Sequence, residues 1–575
     1  MKKIIKLYAC LLAVLGLTAG CSDYLKEDSG DLLIPEKVEE YAPMLYKEGY
    51  PMNFNEEVAW LSLMTDDVEM GHLDMDPADK NYADRDKNSF NLLYGAQGED
   101  SYKWKEKIED YTENFWDSRY KNILACNVVI DALPEIRYAE ADSGKYNFLA
   151  SQAYALRAYY YWCLVNLYAL PWSEANLDKP GVVIRKEPQI DISARGRSTI
   201  REVYELINED IAQAEKYGAE AEFDGNIHRL SPTAVLLLAS RIALFQENWD
   251  EVIRVGNLFW EQNPNILDLN AQDRTSFGED SDSKGFAIMD GVKNKEIVFT
   301  FGTHPSTYPY GYLAPSPYGG ALGFRVSYST EGSLFASYTD EDLRKTAYFK
   351  KDIPAKKAEK PWLDDEPYQY KYYYPVKYRQ MKMSGASKPS EKLLRENWRS
   401  VEVVLNLAEA YARKSNTVSS DAIECLNRLL RCRMDKTTFT DKTTADFKSA
   451  EELVNFIWAE RRRELCFEEA MRFWDLRRHR MLHTYLNGQH KYGILANLKA
   501  GIDMTDAMNR AASYTLMPEE FDYQVIDLIF QNPTSEDAMY MPESYYFFPI
   551  SKDEIEKNPN LDQNKDWGGS FDPVL

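Results

Sequence analysis

Apolar residues recur along this chain at helical spacing. Trp116, Tyr120, Ile123, Asn127 and Ile130 step by four, three, four and three, which puts them on one stripe of a helix. Leu149, Ala153, Leu156, Tyr160, Cys163 and Leu167 repeat the pattern until Pro171 stops it. The two segments predict an antiparallel helical hairpin. Ser231-Pro232 supplies an N-cap followed by proline at the first helical position. That helix runs to about Gln246, breaks at Glu247–Trp249 and resumes through Trp260. Further helices are read at 198–217, 398–414, 420–433 and 450–482. Small residues at the crossings suggest tetratricopeptide-like hairpins, although the repeats are divergent and interrupted.

Residues 263–396 differ in kind. They are rich in Pro, Gly, Tyr and Asp, with short apolar stretches such as Glu296–Phe301. The Tyr368, Tyr370, Tyr372, Tyr374 alternation predicts a strand with one packed face. The expected fold is therefore mainly α: a helical scaffold at 37–262 and 397–575 carrying a long irregular insertion at 263–396 with short β-strands. Such an insertion is a common way to build a binding surface.

The N-terminus carries a different pattern. Lys2, Lys3 and Lys6 precede an apolar run from Leu7 to Ala19, and Thr18-Ala19-Gly20 leads to Cys21. This describes a secretory signal peptide over 1–20; the run is too short to span a bilayer, which needs about 20 apolar residues. Thr18 to Cys21 resembles the bacterial lipobox, which implies that Cys21 is the lipidated N-terminus of the mature protein. Polar, acidic residues 21–36 read as a flexible tether. They also resemble the signal that exports some Bacteroidota lipoproteins to the cell surface. The body, 37–575, reads as one domain.

Composition narrows the function. The formal charge is −24, and an acidic surface disfavours nucleic acid, whose binding needs Lys and Arg on phosphates. It equally disfavours an anionic membrane, so attachment falls to the lipid. Cys126, Cys163, Cys425, Cys432 and Cys466 form neither a disulfide framework nor a CxxC site and read as buried free thiols. Cys425 and Cys432 share a helix face yet stand too far apart to bridge.

Catalytic signals are absent: no GxSxG elbow, P-loop or HExxH occurs. His479 and His483 stand i, i+4 but sit among Arg478 and Arg480, and read as a solvated helix end. Asp74, Asp76 and Asp79 begin like a calcium loop without its glycine; Asp280 and Asp282 keep Gly285 but place Lys284 where a carboxylate belongs. A plain acidic turn competes with a structural calcium at both, and no cofactor is otherwise expected. Aromatics are the better lead. Residues 304–328 carry Tyr308, Tyr310, Tyr312, Tyr318, Phe324 and Tyr328 among glycines and prolines; residues 71–104 carry Tyr82, Phe90, Tyr94, Tyr102 and Trp104. Displayed rings suit the C–H faces of sugars, or a peptide. The alternative is a loop folded over the core with its rings as plugs.

Residues 457–478, IWAERRRELCFEEAMRFWDLRR, resemble the C-terminal signature of the SusD/RagB family through Glu460, Arg461, Glu464, Leu465, Phe467, Glu468, Arg472, Asp475, Leu476 and Arg478. Glu469 stands where that family usually has glycine. Other blocks follow in family order: Thr65-Asp66-Asp67, Asn127, Leu156 to Tyr160, Asp342-Leu343-Arg344, Leu407 to Ala410, and Phe548-Pro549-Ile550 with Glu554 and Asn558-Pro559. Read physically, the signature is structural. Its acids and arginines can form ion pairs along one helix, each worth about 0.3–0.5 kcal/mol when exposed, while Leu465, Phe467 and Phe473 face inward. The resemblance implies a lipid-anchored outer-membrane protein facing the cell exterior, not an enzyme. It would capture an oligosaccharide and act as a lid on a SusC-like TonB-dependent transporter. Tyr94, Trp104, Tyr308, Tyr310, Tyr312 and Tyr318 are the candidate ligand residues. Peptide capture, as in RagB-like members, or a surface glycoside hydrolase remain alternatives.

Overall fold

The computed structural model describes residues 35–51, 59–70, 109–190, 193–277, 288–289, 294–304, 324–327, 333–352, 372–377, 394–479 and 547–564. Cys21, His483 and both acidic loops fall outside them. Helix α1 (Val38–Met44) and strand β1 (Val68–Met70) come first. The two apolar stripes then become α2 (Glu109–Ala132) and α3 (Ser143–Tyr168), packed on one another. Next come α4 (Ile200–Gly218), α5 (Pro232–Phe245) and α6 (Trp249–Gln262).

Local chemistry sets these boundaries. The Thr199 hydroxyl accepts from the backbone N–H of Glu202, whose carboxylate accepts from the Thr199 N–H in return. This reciprocal box starts α4. Ser231 caps α5, with Pro232 in its first turn. The chain then reverses through Glu247, at φ 53°, and Asn248 caps α6. Helix α3 is buried on almost every side from Phe148 to Tyr168, because α1, α2, α4 and α5 all pack on it. A helix enclosed in this way keeps no polar face.

Among the described residues the insertion and its end hold five short strands: β2 (Ile297–His304), β3 (Phe324–Val326), β4 (Phe349–Asp352), β5 (Tyr372–Pro375) and β6 (Leu394–Arg399). Helix α7 (Arg344–Ala347) precedes β4. They form antiparallel ladders β1–β3, β2–β6 and β4–β5. A two-stranded ribbon is marginal by itself, so each is held by what lies beneath it. From β2 and β6, Phe299 and Trp398 meet edge to face at 5.0 Å in the main core. Val68, Val326, Tyr338, Tyr348, Phe349 and Phe467 build a second core under the other two ladders. In β5 the half-buried ring of Tyr373 stacks on Phe335 at 3.7 Å.

Helices α8 (Ser400–Lys414) and α9 (Ser420–Arg433) form the next pair. Helix α6 lies so close to α8 that a Cβ on Gly256 would stand 2.7 Å from Leu407. The single helix expected over 450–482 is two, α10 (Ala450–Leu465) and α11 (Met471–Arg478). Between them Phe467, Glu469 and Ala470 have φ of 63°, 46° and 54°, and a right-handed helix cannot run through left-handed residues. Among the described residues the last helix is α12 (Lys552–Lys557). No helix among the described residues is long and apolar enough to cross a membrane. All five cysteines beyond Cys21 are free, four of them buried and Cys432 half-buried.

Candidate functional site

The candidate ligand residues Tyr94 and Trp104, and Tyr308, Tyr310, Tyr312 and Tyr318, lie outside the described residues. What is described is the footing of the segments that carry them. In the β1–β3 ladder, Met70 is the cross-strand partner of Phe324. The chain therefore enters 71–108 and leaves 305–323 at the same end of one ribbon. The other end of 305–323 starts at His304, opposite Leu394 in the β2–β6 ladder. Asp352 opposite Tyr372 is the matching end of β4–β5, and β5 packs beside β3. Segments more than 200 positions apart in sequence thus spring from neighbouring strand ends.

The signature at 457–478 clamps these strands. Just before β1, Asp66 accepts two hydrogen bonds from Arg472 at 2.7 and 2.9 Å, and Asp67 accepts one from Arg462 at 2.6 Å. Arg462 also donates to the Asp66 carbonyl at 2.9 Å. On the β3 side, the Ser327 hydroxyl donates to that same carbonyl at 2.7 Å. Burial raises the Asp66 carboxyl, yet Arg462 and Arg472 outweigh it and hold the group below its ordinary range. For its neighbour Asp67 burial wins, and the carboxyl is pushed up.

A larger ion cluster lies behind. Glu464 is wholly buried and accepts from Arg344 at 3.1 Å, Arg399 at 2.9 Å and Arg433 at 2.9 and 3.0 Å, with the Tyr348 hydroxyl at 3.1 Å. Arg344 also pairs with Asp342 and Glu460; Arg399 with Glu296 and Glu468; Arg433 with Glu296. The buried Lys377 donates to the Glu464 and Cys466 carbonyls at 2.6 and 3.1 Å and pairs with Glu468. Because Arg344 leads into β4, Lys377 follows β5 and Arg399 ends β6, one cluster fixes three strands against α10. Two expectations are corrected here. Apart from Glu460–Arg463 and Asp475–Arg478, which run along one helix, the ion pairs join different elements; they are buried, so breaking one costs about 3–5 kcal/mol. Arg461 does pair with Asp475, at 2.8 Å, but Arg472 reaches Asp66.

Glu469 explains its own exception. Its φ suits glycine, but its buried carboxylate accepts from the Tyr159 hydroxyl at 2.5 Å and Trp398 Nε1 at 3.0 Å, and pairs with Arg241 at 3.0 Å. The side chain substitutes three polar contacts for conformational ease. His479 is a further correction. It is not a solvated helix end: the half-buried ring lies tilted by 37° against Trp458 at 3.6 Å, and burial, then Arg478, drive its pKa well below the ordinary value. Sequence reasoning missed Glu296, Lys377, Arg399 and Arg433. Their signal was a charge inside an apolar stretch, as in Trp398-Arg399-Ser400-Val401. Among the described residues no group of three or more His, Cys, Asp or Glu is placed to hold a metal.

Comparison with known proteins agrees with this architecture. The pattern of the SusD family matches residues 259–567, and a pattern described as starch-binding, associating with the outer membrane, matches residues 38–244. No curated protein matches the sequence. Among solved structures, a SusD superfamily protein from Bacteroides thetaiotaomicron VPI-5482 is similar at TM-score 0.59 and 16% identity, over 92% of this chain and 100% of that one. A SusD-like protein from Bacteroides fragilis NCTC 9343 reaches 0.58 at 17%, over 92% and 96%. A SusD-like carbohydrate binding protein from Bacteroides vulgatus ATCC 8482 reaches 0.53 at 20%, over 77% and 84%. At these identities the structures speak for the fold, and the pattern that contains the clamp speaks for the lineage: the chain belongs to the SusD family.

Proposed function

We propose that this protein is a cell-surface nutrient-binding lipoprotein, anchored in the outer membrane through Cys21, that captures an oligosaccharide and hands it to a SusC-like TonB-dependent transporter. Tyr94, Trp104, Tyr308, Tyr310, Tyr312 and Tyr318 supply the stacking faces. The observation that carries the reading is the pairing of Met70 with Phe324, since it roots both aromatic segments at one place on a clamped scaffold. Family membership supports the ligand class and the membrane. Nothing in the mechanism makes or breaks a bond: rings take the apolar face of the sugar while polar groups bind hydroxyls. Replacing the six aromatics by alanine and titrating candidate polysaccharides into the variant by calorimetry tests the site. Affinity should fall at least about tenfold, and unchanged affinity for a glycan bound by the parent refutes it. Cys21→Ala should leave that affinity intact yet abolish uptake by cells; surviving uptake refutes the anchored-lid role.

A further inference from the structure

Four tyrosines form a row where the α2–α3 connection, α3 and α4 meet. Tyr138 stacks on Tyr146 at 4.3 Å, Tyr146 meets Tyr217 edge-on at 6.2 Å, and Tyr217 lies parallel to Tyr154 at 6.0 Å. Tyr146, Tyr154 and Tyr217 are half-buried, and the Tyr146 hydroxyl donates to the Leu133 carbonyl at 3.1 Å. The row is thus held from within. Tyr138 ends it at 47% exposure. Tyr146 covers one face of that ring, and among the described residues no other ring or cation meets it. A lone exposed ring is ordinary on a protein surface, but a ring fixed at the end of a stacked row is a prepared contact face.

Carboxylates surround the row. Glu135 and Glu140 flank Tyr138 in sequence, and Glu39 and Glu222 act on Lys145, the neighbour of Tyr146. All four are exposed, and none has an ion-pair partner among the described residues. The nearby cations are engaged: Arg137 pairs with Glu36 at 3.3 Å, Lys145 with Asp142 at 2.8 Å, and Lys216 lies over the Tyr217 ring at 5.8 Å. Charge therefore selects the occupant. A second copy related by two-fold symmetry would set this acidic rim against itself. The segment that leads into Glu36 carries Asp23, Glu27, Asp28 and Asp31 against Lys26, and is repelled as well. A guanidinium gains from both features, because it is planar, weakly hydrated and cationic, and stacks on aromatic faces. The carboxylates come from α1, the α2–α3 connection and the chain after α4, so an extended segment meets more of them than one small cation can. We propose that this row is a docking surface for a protein segment that presents several arginines, one stacking on the outer face of Tyr138 and the others pairing with the surrounding glutamates.

The probe is an acetylated, amidated pentapeptide of alternating arginine and alanine, titrated calorimetrically into the full mature chain. Its control replaces each arginine by citrulline, which keeps the shape and removes the charge. At an ionic strength of about 0.01 M, where charges act over about 30 Å, the arginine peptide should bind and the citrulline peptide should not. Tyr138→Ala should weaken binding about two- to fivefold, the size of one exposed cation–π contact, with the melting temperature unchanged. Tyr138→Phe should restore it, since the ring face and not the hydroxyl makes the contact. Glu135→Gln combined with Glu222→Gln should weaken binding and flatten its salt dependence. The variant lacking the six loop aromatics should bind as the parent does, which separates this surface from the proposed ligand site. An arginine peptide that does not bind, a citrulline peptide that binds equally, or an affinity indifferent to Tyr138→Ala each overturns the proposal. So does a dimer of the parent chain in sedimentation that Tyr138→Ala dissolves, which would assign the surface to a second copy.

Discussion

Glu464→Gln keeps the size of the side chain and removes its charge from the centre of the buried cluster. Among the described residues five cations, Arg344, Arg399, Arg433, Arg463 and Lys377, face five acids, Glu296, Asp342, Glu460, Glu464 and Glu468. The cluster is neutral, and the variant leaves one positive charge unmatched in surroundings that water does not reach. Each arginine retains another carboxylate, so the cost is that of one buried pair, about 3–5 kcal/mol. An unfolding entropy of about 2.1 cal/mol/K per residue gives roughly 1.2 kcal/mol/K for a chain of about 555 residues. The melting temperature should therefore fall by about 3–4 °C in calorimetry at pH 7. The pH dependence supplies a second check. Burial alone would raise the Glu464 carboxyl, but Arg433, Arg399 and Arg344 together hold it well below 4.5. A depressed carboxyl contributes stability that is fully present above its unfolded value and is lost as pH falls through the folded one. The gap between parent and variant should be full above pH 4.5 and narrow below it. A variant that melts within about 1 °C of the parent at pH 7, or a gap that widens in acid, would refute the clamp.

Gly256→Ala forces a Cβ to within 2.7 Å of Leu407 and should cost about 1–3 kcal/mol of stability, read as a lowered midpoint in denaturant. Glu469→Gly relieves a left-handed residue, worth about 1–2 kcal/mol, but strips Arg241 of a buried partner at about 3–5 kcal/mol; the net change should be destabilising. A more stable variant would show that the three contacts of Glu469 carry no weight. Burial pushes the thiols of Cys425 and Cys466 up to about 12 and about 11. An aromatic disulfide reagent should therefore label the native protein at the half-buried Cys432 first and reach all five thiols only after unfolding.

The helices were legible because their stripes and caps are local: Thr199 with Glu202 and Ser231 with Pro232 mark their own boundaries. The break at 466–470 was not, since no glycine or proline stands there and the left-handed residues are Phe467, Glu469 and Ala470. Partnerships across the chain were equally hidden. Asp66 and Arg472 are 406 positions apart, and no spacing rule joins them. The signature reads as structural from its sequence, but its strength does not show there, because burial is a property of the assembled fold. The candidate aromatics stand out by composition alone, and residues without periodicity predict neither partner nor orientation.

The ladder end at Met70 and Phe324 also bears on how such a protein can change. Once both ends of a segment are fixed, lengthening it is cheap: doubling the chain between two anchors adds only about 0.6 kcal/mol of closure entropy. The segment between His304 and Phe324 can therefore gain or lose residues with little penalty to stability, while a one-residue slip in the strands that hold it would turn Val326 out of the core. Diversity in what is bound is cheap at the tips and forbidden at the roots.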